Sequence, residues 1–274
     1  MGKYLVRRLV KKGHHITVFN RGTRKEDYPE GVDYIRGDRD KGFRIQEKFS
    51  AVVDMCAYRG EQTRRALAEL TFDYFLHMST AAVYKKSEVF PLSEESPIGS
   101  WPVWGAYNKE KVACEEVLQK SRIAYASLRP VYIFGSANYV DRERFLYHHL
   151  KNGKTIFLPG NGQALLQFVF AEEVAEALAM LAEQKITGIF NCGGDECITP
   201  RGLVEIMGRV IGKKPMVECN PYTDGANHLI EEFPFANENI FITNEKIKNL
   251  GVKFVSLYEG LKRDYERYYQ NILS

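Results

Sequence analysis

From Tyr4 to Pro130 of this 274-residue chain, short β-branched and aromatic runs alternate with longer amphipathic ones. That rhythm restricts the fold more than any single motif. Tyr4–Lys12 carries Leu5, Val6, Leu9 and Val10 at helical spacing and is stopped by Gly13. His15–Asn20, Val32–Arg36, Ala51–Met55, Tyr74–Met78 and Ala124–Arg129, the last closed by Pro130, read as strands. Thr63–Leu70 and Ala106–Gln119 read as helices between them. Such alternation predicts an α/β protein with a doubly wound parallel sheet, covered on both faces.

Beyond Pro130 the pattern is mixed. Arg142–Lys151, Ala171–Glu183, Pro200–Ile211, Asn244–Leu250 and Leu257–Tyr269 are helical in pattern, and Ile156–Leu158 and Gly188–Asn191 strand-like. The expected division is a main domain over residues 1–138, with segments of roughly 165–195 returning to it. Residues 139–274 would build mainly a smaller C-terminal lobe for substrate.

Composition narrows the function classes. A net charge of +3 on a chain that is 27% charged argues against a nucleic-acid or anionic-membrane partner. No apolar run approaches the ~20 residues of a membrane span. The apolar residues of Met1–Gly13 are broken by Lys3, Arg7, Arg8, Lys11 and Lys12, which is not a secretory pattern. Cys56, Cys114, Cys192, Cys197 and Cys219 are odd in number and lack metal-type spacing, so reduced thiols in a cytoplasmic protein are expected. The adjacent pairs His14-His15 and His148-His149 point to different faces, and no metal site is expected.

Tyr107 and Lys111 suggest chemistry. Residues four apart share a helix face, where an ammonium can lower a phenol's pKa by stabilising the phenolate. Such a tyrosine can exchange a proton with a substrate hydroxyl. The competing reading is a solvated helix face.

A dinucleotide-binding fold opens with strand, glycine-rich loop, helix and strand. Here Gly2-Lys3-Tyr4-Leu5-Val6 matches only the last glycine of such a loop and the helix after it. The first strand, central in this strand order, is missing from the pattern. Three readings stand: the recorded start lies downstream of the natural one, the chain is a genuine short form with impaired cofactor binding, or the N-terminal segment aligns differently.

The segments His15–Gly22, Gly37–Asp40, Val52–Tyr58, Phe75–Tyr84, Tyr107–Lys111, Leu128–Gly135, Gln167–Val174, Phe190–Gly194 and Leu257–Tyr269 together resemble the NAD-dependent epimerase/dehydratase family. This is the extended branch of the short-chain dehydrogenase/reductases, with a Rossmann-type sheet. Val53–Tyr58 and Asp141–Arg144 resemble the branch that includes chloroplast stem-loop-binding proteins. The resemblance implies Thr80, Tyr107 and Lys111 as catalytic residues. Tyr107 would be the acid/base, Thr80 would hold the substrate oxygen, and Lys111 would hold the nicotinamide ribose and depress the tyrosine pKa. Gly2, Asn20, Arg21, Asp38, Cys56 and Ala57 would join Tyr107 and Lys111 in binding the cofactor. Asp38 would meet the adenine edge. Cys56, Ala57 and Tyr58 would line the phosphate and ribose side, with Cys56 a small buried filler rather than a nucleophile.

At Asn20-Arg21 no acid ends the strand, and a guanidinium favours a 2′-phosphate, so NADP is expected over NAD. Ala81-Ala82 replace the acidic residues of the family's sugar-nucleotide dehydratases, arguing against elimination chemistry. Leu165-Leu166 stand where many nucleotide-sugar enzymes carry an arginine. Arg142, Arg144 and Lys154 are candidates for an anionic substrate, against the plainer reading of solvated charges. The expectation is an oxidoreductase or epimerase acting on a sugar-like small molecule, in a family where homodimers are common. The alternative is a non-catalytic or RNA-binding protein on the same scaffold.

Overall fold

The computed structural model describes residues 1–23 and 27–273. Helix α1 (Gly2–Lys11) leads into the strands β1 (Ile16–Asn20) and β2 (Val32–Arg36). Next come β3 (Lys48–Phe49), β4 (Val52–Asp54), α2 (Gly60–Glu69), β5 (Thr71–Phe72) and β6 (Phe75–Met78). The middle of the chain forms α3 (Gly105–Lys120), β7 (Tyr125–Pro130), β8 (Tyr132–Phe134), α4 (Arg142–Lys151), β9 (Ile156–Pro159), β10 (Leu166–Phe170), α5 (Ala171–Gln184) and β11 (Gly188–Cys192). The remainder forms β12 (Cys197–Ile198), α6 (Pro200–Ile211), β13 (Val217–Asn220), α7 (Glu245–Asn249) and α8 (Leu257–Asp264). A π-helical turn over Tyr265–Tyr269 joins α8 to α9 (Gln270–Ile272). No helix among the described residues is long and apolar enough to cross a membrane.

The central sheet is parallel, in the order β11-β7-β6-β4. Strands β1 and β2 form a separate parallel pair. No ladder joins β1 to β4 among the described residues, and the expected order places the first strand between those two edges. Strand β10 pairs in parallel with β8 and antiparallel with β12. Strand β9 pairs with β13, and β3 with β5.

Packing follows the sequence pattern. Strand β6 is apolar on both faces, with Phe75, Leu76 and Met78 all buried, as a strand covered from both sides must be. Helix α5 turns Val174, Leu178 and Leu181 into the core. Helix α1 buries Leu5, Val6 and Leu9 and keeps its cations toward solvent. Two of those cations meet α5 acids, Arg8 to Glu176 at 2.6 Å and Lys12 to Glu183 at 2.5 Å.

Helix α3 departs from the apolar-inside pattern in a way that matters for function. Its buried face carries Asn108, Lys111 and Glu115 beside Cys114 and Leu118. Each polar group is matched, as burial demands. Asn108 Nδ2 donates to the carbonyls of Ala82 at 2.6 Å and Gly99 at 2.7 Å. Glu115 takes the Arg129 guanidinium from β7 in a two-pronged pair, Nε to Oε1 at 2.9 Å, and also accepts from the Ser79 hydroxyl. These bonds pin the first turns of α3 against the segment that leaves β6.

Candidate active site

A cavity of about 870 Å³ opens beyond the carboxyl ends of β6 and β7, and its wall includes Met78 to Ala82 and the run Pro130 to Val140. Ligands of open parallel sheets bind at that end of the strands. The N-terminus of α1 contributes Met1, Gly2 and Lys3 to the wall, and Ala57, Tyr58, Tyr107 and Lys111 complete the side nearest α3.

Thr80 follows β6 and caps a short turn, its Oγ1 accepting from the Ala82 amide at 3.2 Å. Tyr107 lies in the first turn of α3, its ring 6.3 Å from that of Tyr58. The Tyr107 side chain opens into the cavity, 42% exposed, but the surrounding walls crowd it. Burial is the largest influence on its phenol and raises the pKa above its ordinary value. The nearby Thr80 hydroxyl and the charge of Arg142 both pull it back down.

Lys111 shares the cavity with Tyr107 but faces the other way in its bonding. The residue is 3% exposed, and its ammonium donates to the carbonyls of Ala57 at 2.9 Å and Met78 at 2.6 Å. Burial lowers its pKa. His77 Nε2 lies 3.5 Å from it. Burial, reinforced by the Lys111 charge, pushes that imidazole down to about 3, so His77 is neutral. The expected depression of the tyrosine pKa by Lys111 is therefore corrected. The phenol stands raised, because burial outweighs the lowering influences of Thr80 and Arg142.

The structure brings Gly2, Ala57, Thr80, Tyr107 and Lys111 onto one cavity wall and leaves Asn20, Arg21, Asp38 and Cys56 off it. Asn20 Oδ1 accepts from the Gly22 amide at 2.7 Å and the Tyr34 hydroxyl at 2.8 Å. Arg21 is exposed. Asp38 Oδ1 accepts from the Asp40 amide at 3.0 Å and caps a short turn. Cys56 is exposed, not the buried filler expected. Its amide is held by Asp54 Oδ1 at 3.2 Å, and its Sγ accepts from Arg39 Nη1 at 3.5 Å. Of the three candidate cations for an anionic substrate, Arg142 lines the cavity, Arg144 pairs with Asp141 at 3.6 Å, and Lys154 is exposed beside His148.

Two buried arrangements escaped the sequence reading. Arg39 grips Asp54 with both prongs, at 2.5 and 2.8 Å. Burial pushes the Asp54 carboxyl up, but those bonds and the Arg39 charge outweigh it and hold it below the usual carboxylate range. Glu143 is 1% exposed and ties down the cavity-wall loop, accepting from the Gly135 amide at 2.8 Å and Asn138 Nδ2 at 3.0 Å. Burial pushes its carboxyl up to about 7.

These residues fit the nicotinamide half of a dinucleotide. The cavity runs from α1's first turn, which no side chain caps, to Thr80, Tyr107 and Lys111. Helix N-termini present free N–H groups to phosphates. A Cβ at Gly2 would meet no atom within 4 Å, so nothing in the protein itself calls for glycine there.

A family model described as NAD dependent epimerase/dehydratase family matches residues 61–193. The chain is 30% identical to the chloroplast stem-loop binding protein of 41 kDa b of Arabidopsis thaliana, over 97% of this chain and 75% of that protein. Among solved structures, the epimerase Mth375 of Methanothermobacter thermautotrophicus superposes with a TM-score of 0.80 at 16% identity, covering 99% of this chain and 89% of the other. The UDP-glucuronic acid 4-epimerase of Bacillus cereus, solved with NAD, superposes with a TM-score of 0.78 at 16% identity, covering 99% and 95%. At such identities the two structures speak for the fold, which is Rossmann-type.

Proposed function

This chain belongs to the NAD dependent epimerase/dehydratase family, and from that membership we propose that it moves a hydride to or from a hydroxyl-bearing carbon of a sugar-like small molecule. The cofactor would be NADP in preference to NAD. The observation that carries this reading is the meeting of Thr80 and Tyr107 on a cavity wall shared with Lys111 and the start of α1.

A bound nicotinamide dinucleotide supplies the hydride acceptor or donor. The remaining work falls to the chain. The Thr80 hydroxyl holds the substrate oxygen, and the Tyr107 phenol passes the proton to or from it. With its pKa raised, the phenol is protonated at neutral pH, which suits it to give a proton to a carbonyl oxygen as that oxygen is reduced. Lys111, fixed by two carbonyls, would hold the ribose next to the nicotinamide.

The NADP preference rests on the C-terminal ends of β1 and β2. No acid ends β1 to take a ribose 2′-hydroxyl. Arg21 is exposed, and Arg36 Nε donates to the Arg21 carbonyl at 3.2 Å, so two guanidinium-bearing residues adjoin. The RNA-binding alternative draws less support, because Arg8 and Lys12 of the basic helix are engaged by α5 acids.

The test is a fluorescence titration with NADPH and NADH, followed by turnover on a panel of aldoses and sugar acids. NADPH is expected to bind more tightly. Tyr107→Phe is expected to keep that binding and to lose turnover by roughly 10²- to 10⁴-fold, the usual worth of a general acid. Failure of both nucleotides to bind, or undiminished turnover in the variant, would overturn the proposal.

A further inference from the structure

Arg142 begins α4 and lines the cavity that holds Tyr107. Its guanidinium carbon lies 5.1 Å from the centre of the Tyr132 ring and 5.5 Å from that of Phe235. Trp104 packs edge-on against the same Tyr132, with ring centres 5.8 Å apart. Cation–π contacts of this kind use the negative faces of the rings and leave the N–H edge of the guanidinium available.

That edge has no protein acceptor. Among the described residues, Arg142 makes no side-chain ion pair, and its Nε is buried without a hydrogen-bond partner. The acids on its own element are otherwise engaged: Asp141 pairs with Arg144, and Glu143 accepts from Gly135 and Asn138. Glu238 is taken by Lys86 at 3.1 Å. A buried donor left unpaired is costly, and a cation more so. Arg39 Nε is also buried without a partner, but the Arg39 guanidinium is held by Asp54, as that of Arg129 is by Glu115. Of these three, Arg142 is the one without a carboxylate partner among the described residues. The Arg142 charge also reaches the Tyr107 phenol, so the guanidinium and the reacting group face one compartment.

We propose that Arg142 is the anion-binding residue of the substrate pocket, and that the substrate carries a compact oxyanion, a carboxylate or a phosphate, close to the carbon that reacts. This rests on the functional reading above and sharpens it to sugar acids or sugar phosphates. A neutral sugar would leave the guanidinium unmatched. Two-pronged bonding of an oxyanion would complete its N–H set. It would also fix the substrate's orientation relative to Tyr107 and Thr80.

The test reads binding rather than turnover. Tryptophan fluorescence, from Trp104 on the cavity wall and its neighbour Trp101, is followed during titration with acetate, inorganic phosphate, glucuronate, glucose 6-phosphate and glucose. At least one anionic sugar is expected to bind on the order of tenfold or more tightly than glucose, the usual advantage of a charge-assisted bond. The acetate–glucuronate and phosphate–glucose 6-phosphate arms tell a carboxylate from a phosphate. Arg142→Gln is expected to abolish the difference and Arg142→Lys to keep part of it, while the surface change Arg64→Gln leaves it intact. Equal binding of glucose by the wild type, binding of no anion, or a preference that survives in Arg142→Gln overturns the inference. NADPH titration of the same samples separates the two claims. Loss of nucleotide binding counts against the cofactor reading alone, and loss of anion preference with NADPH still bound counts against Arg142 alone.

Discussion

Glu143→Gln removes a titration that the fold displaces toward neutrality. The carboxyl is 1% exposed, and burial, the largest influence, lifts its pKa from 4.5 to about 7, against the opposing pull of the Gly135 and Asn138 bonds. The folded state therefore holds the proton more tightly than the unfolded chain. The resulting stability is present in full below the unfolded value of 4.5 and is lost as pH rises through about 7. Between about pH 5 and about pH 8, linkage with those two values amounts to about 2.5 kcal/mol, as an order of magnitude. An unfolding entropy of about 2.1 cal/mol/K per residue over 274 residues gives about 0.6 kcal/mol per kelvin, so the effect is about 4 °C in Tm. Melting curves of wild type and Glu143→Gln at both pH values isolate this group, because every other carboxyl titrates in both proteins. The wild type is expected to lose about 4 °C relative to the variant on going from acid to alkaline buffer. A gap constant to within about 1 °C, or one that moves the other way, would refute the buried-carboxyl account of the loop.

Two further substitutions test the packing that carries the site. Glu115→Ala strands the Arg129 guanidinium, 3% exposed on its side chain, and is expected to cost about 3–5 kcal/mol in thermal or denaturant melts. The double change Glu115→Leu with Arg129→Met should cost less than that single one, since no charge is then left buried. Gly260→Ala puts a Cβ 2.0 Å from Phe170 Cε2, so the urea midpoint should fall by the equivalent of about 1–3 kcal/mol, and an unchanged midpoint would contradict the tight contact of α8 with β10.

The elements legible in the sequence are those whose apolar period is unbroken. Residues 142–151 and 200–211 form helices with the bounds read from sequence, the second with Thr199 Oγ1 capping the Gly202 amide and Gly212 in the left-handed region at its end. The misses have physical causes. Helix α2 begins at Gly60, three residues before the expected Thr63, because Gln62 Oε1 accepts from the amides of Tyr58 and Arg59, a cap that Arg-x-x-Gln does not advertise. Strand β13, Val-Glu-Cys-Asn, is only four residues long and is held by its ladder to β9. Strand β7 ends at Pro130 as expected, with the proline itself its last residue, paired with Cys192.

The candidate site divides along the same line. That Tyr107 and Lys111 share a helix face follows from spacing, and both do line one cavity. What the ammonium does there is set by residues far away in sequence, the carbonyls of Ala57 and Met78, which no local pattern encodes. The same holds for Arg142. Read from sequence, it was one of three cations on a mixed segment, and nothing separated it from Arg144 and Lys154. Burial of its Nε separates it, together with the rings of Tyr132 and Phe235, which come from β8 and from a loop more than ninety residues beyond Arg142. The charge that acts most directly to lower the Tyr107 pKa is thus Arg142's, and a substrate oxyanion bound there would offset it and hold the phenolic proton in place. A substrate of that class would arrive with its own acid catalyst kept protonated, which is the state that reduction of a carbonyl needs.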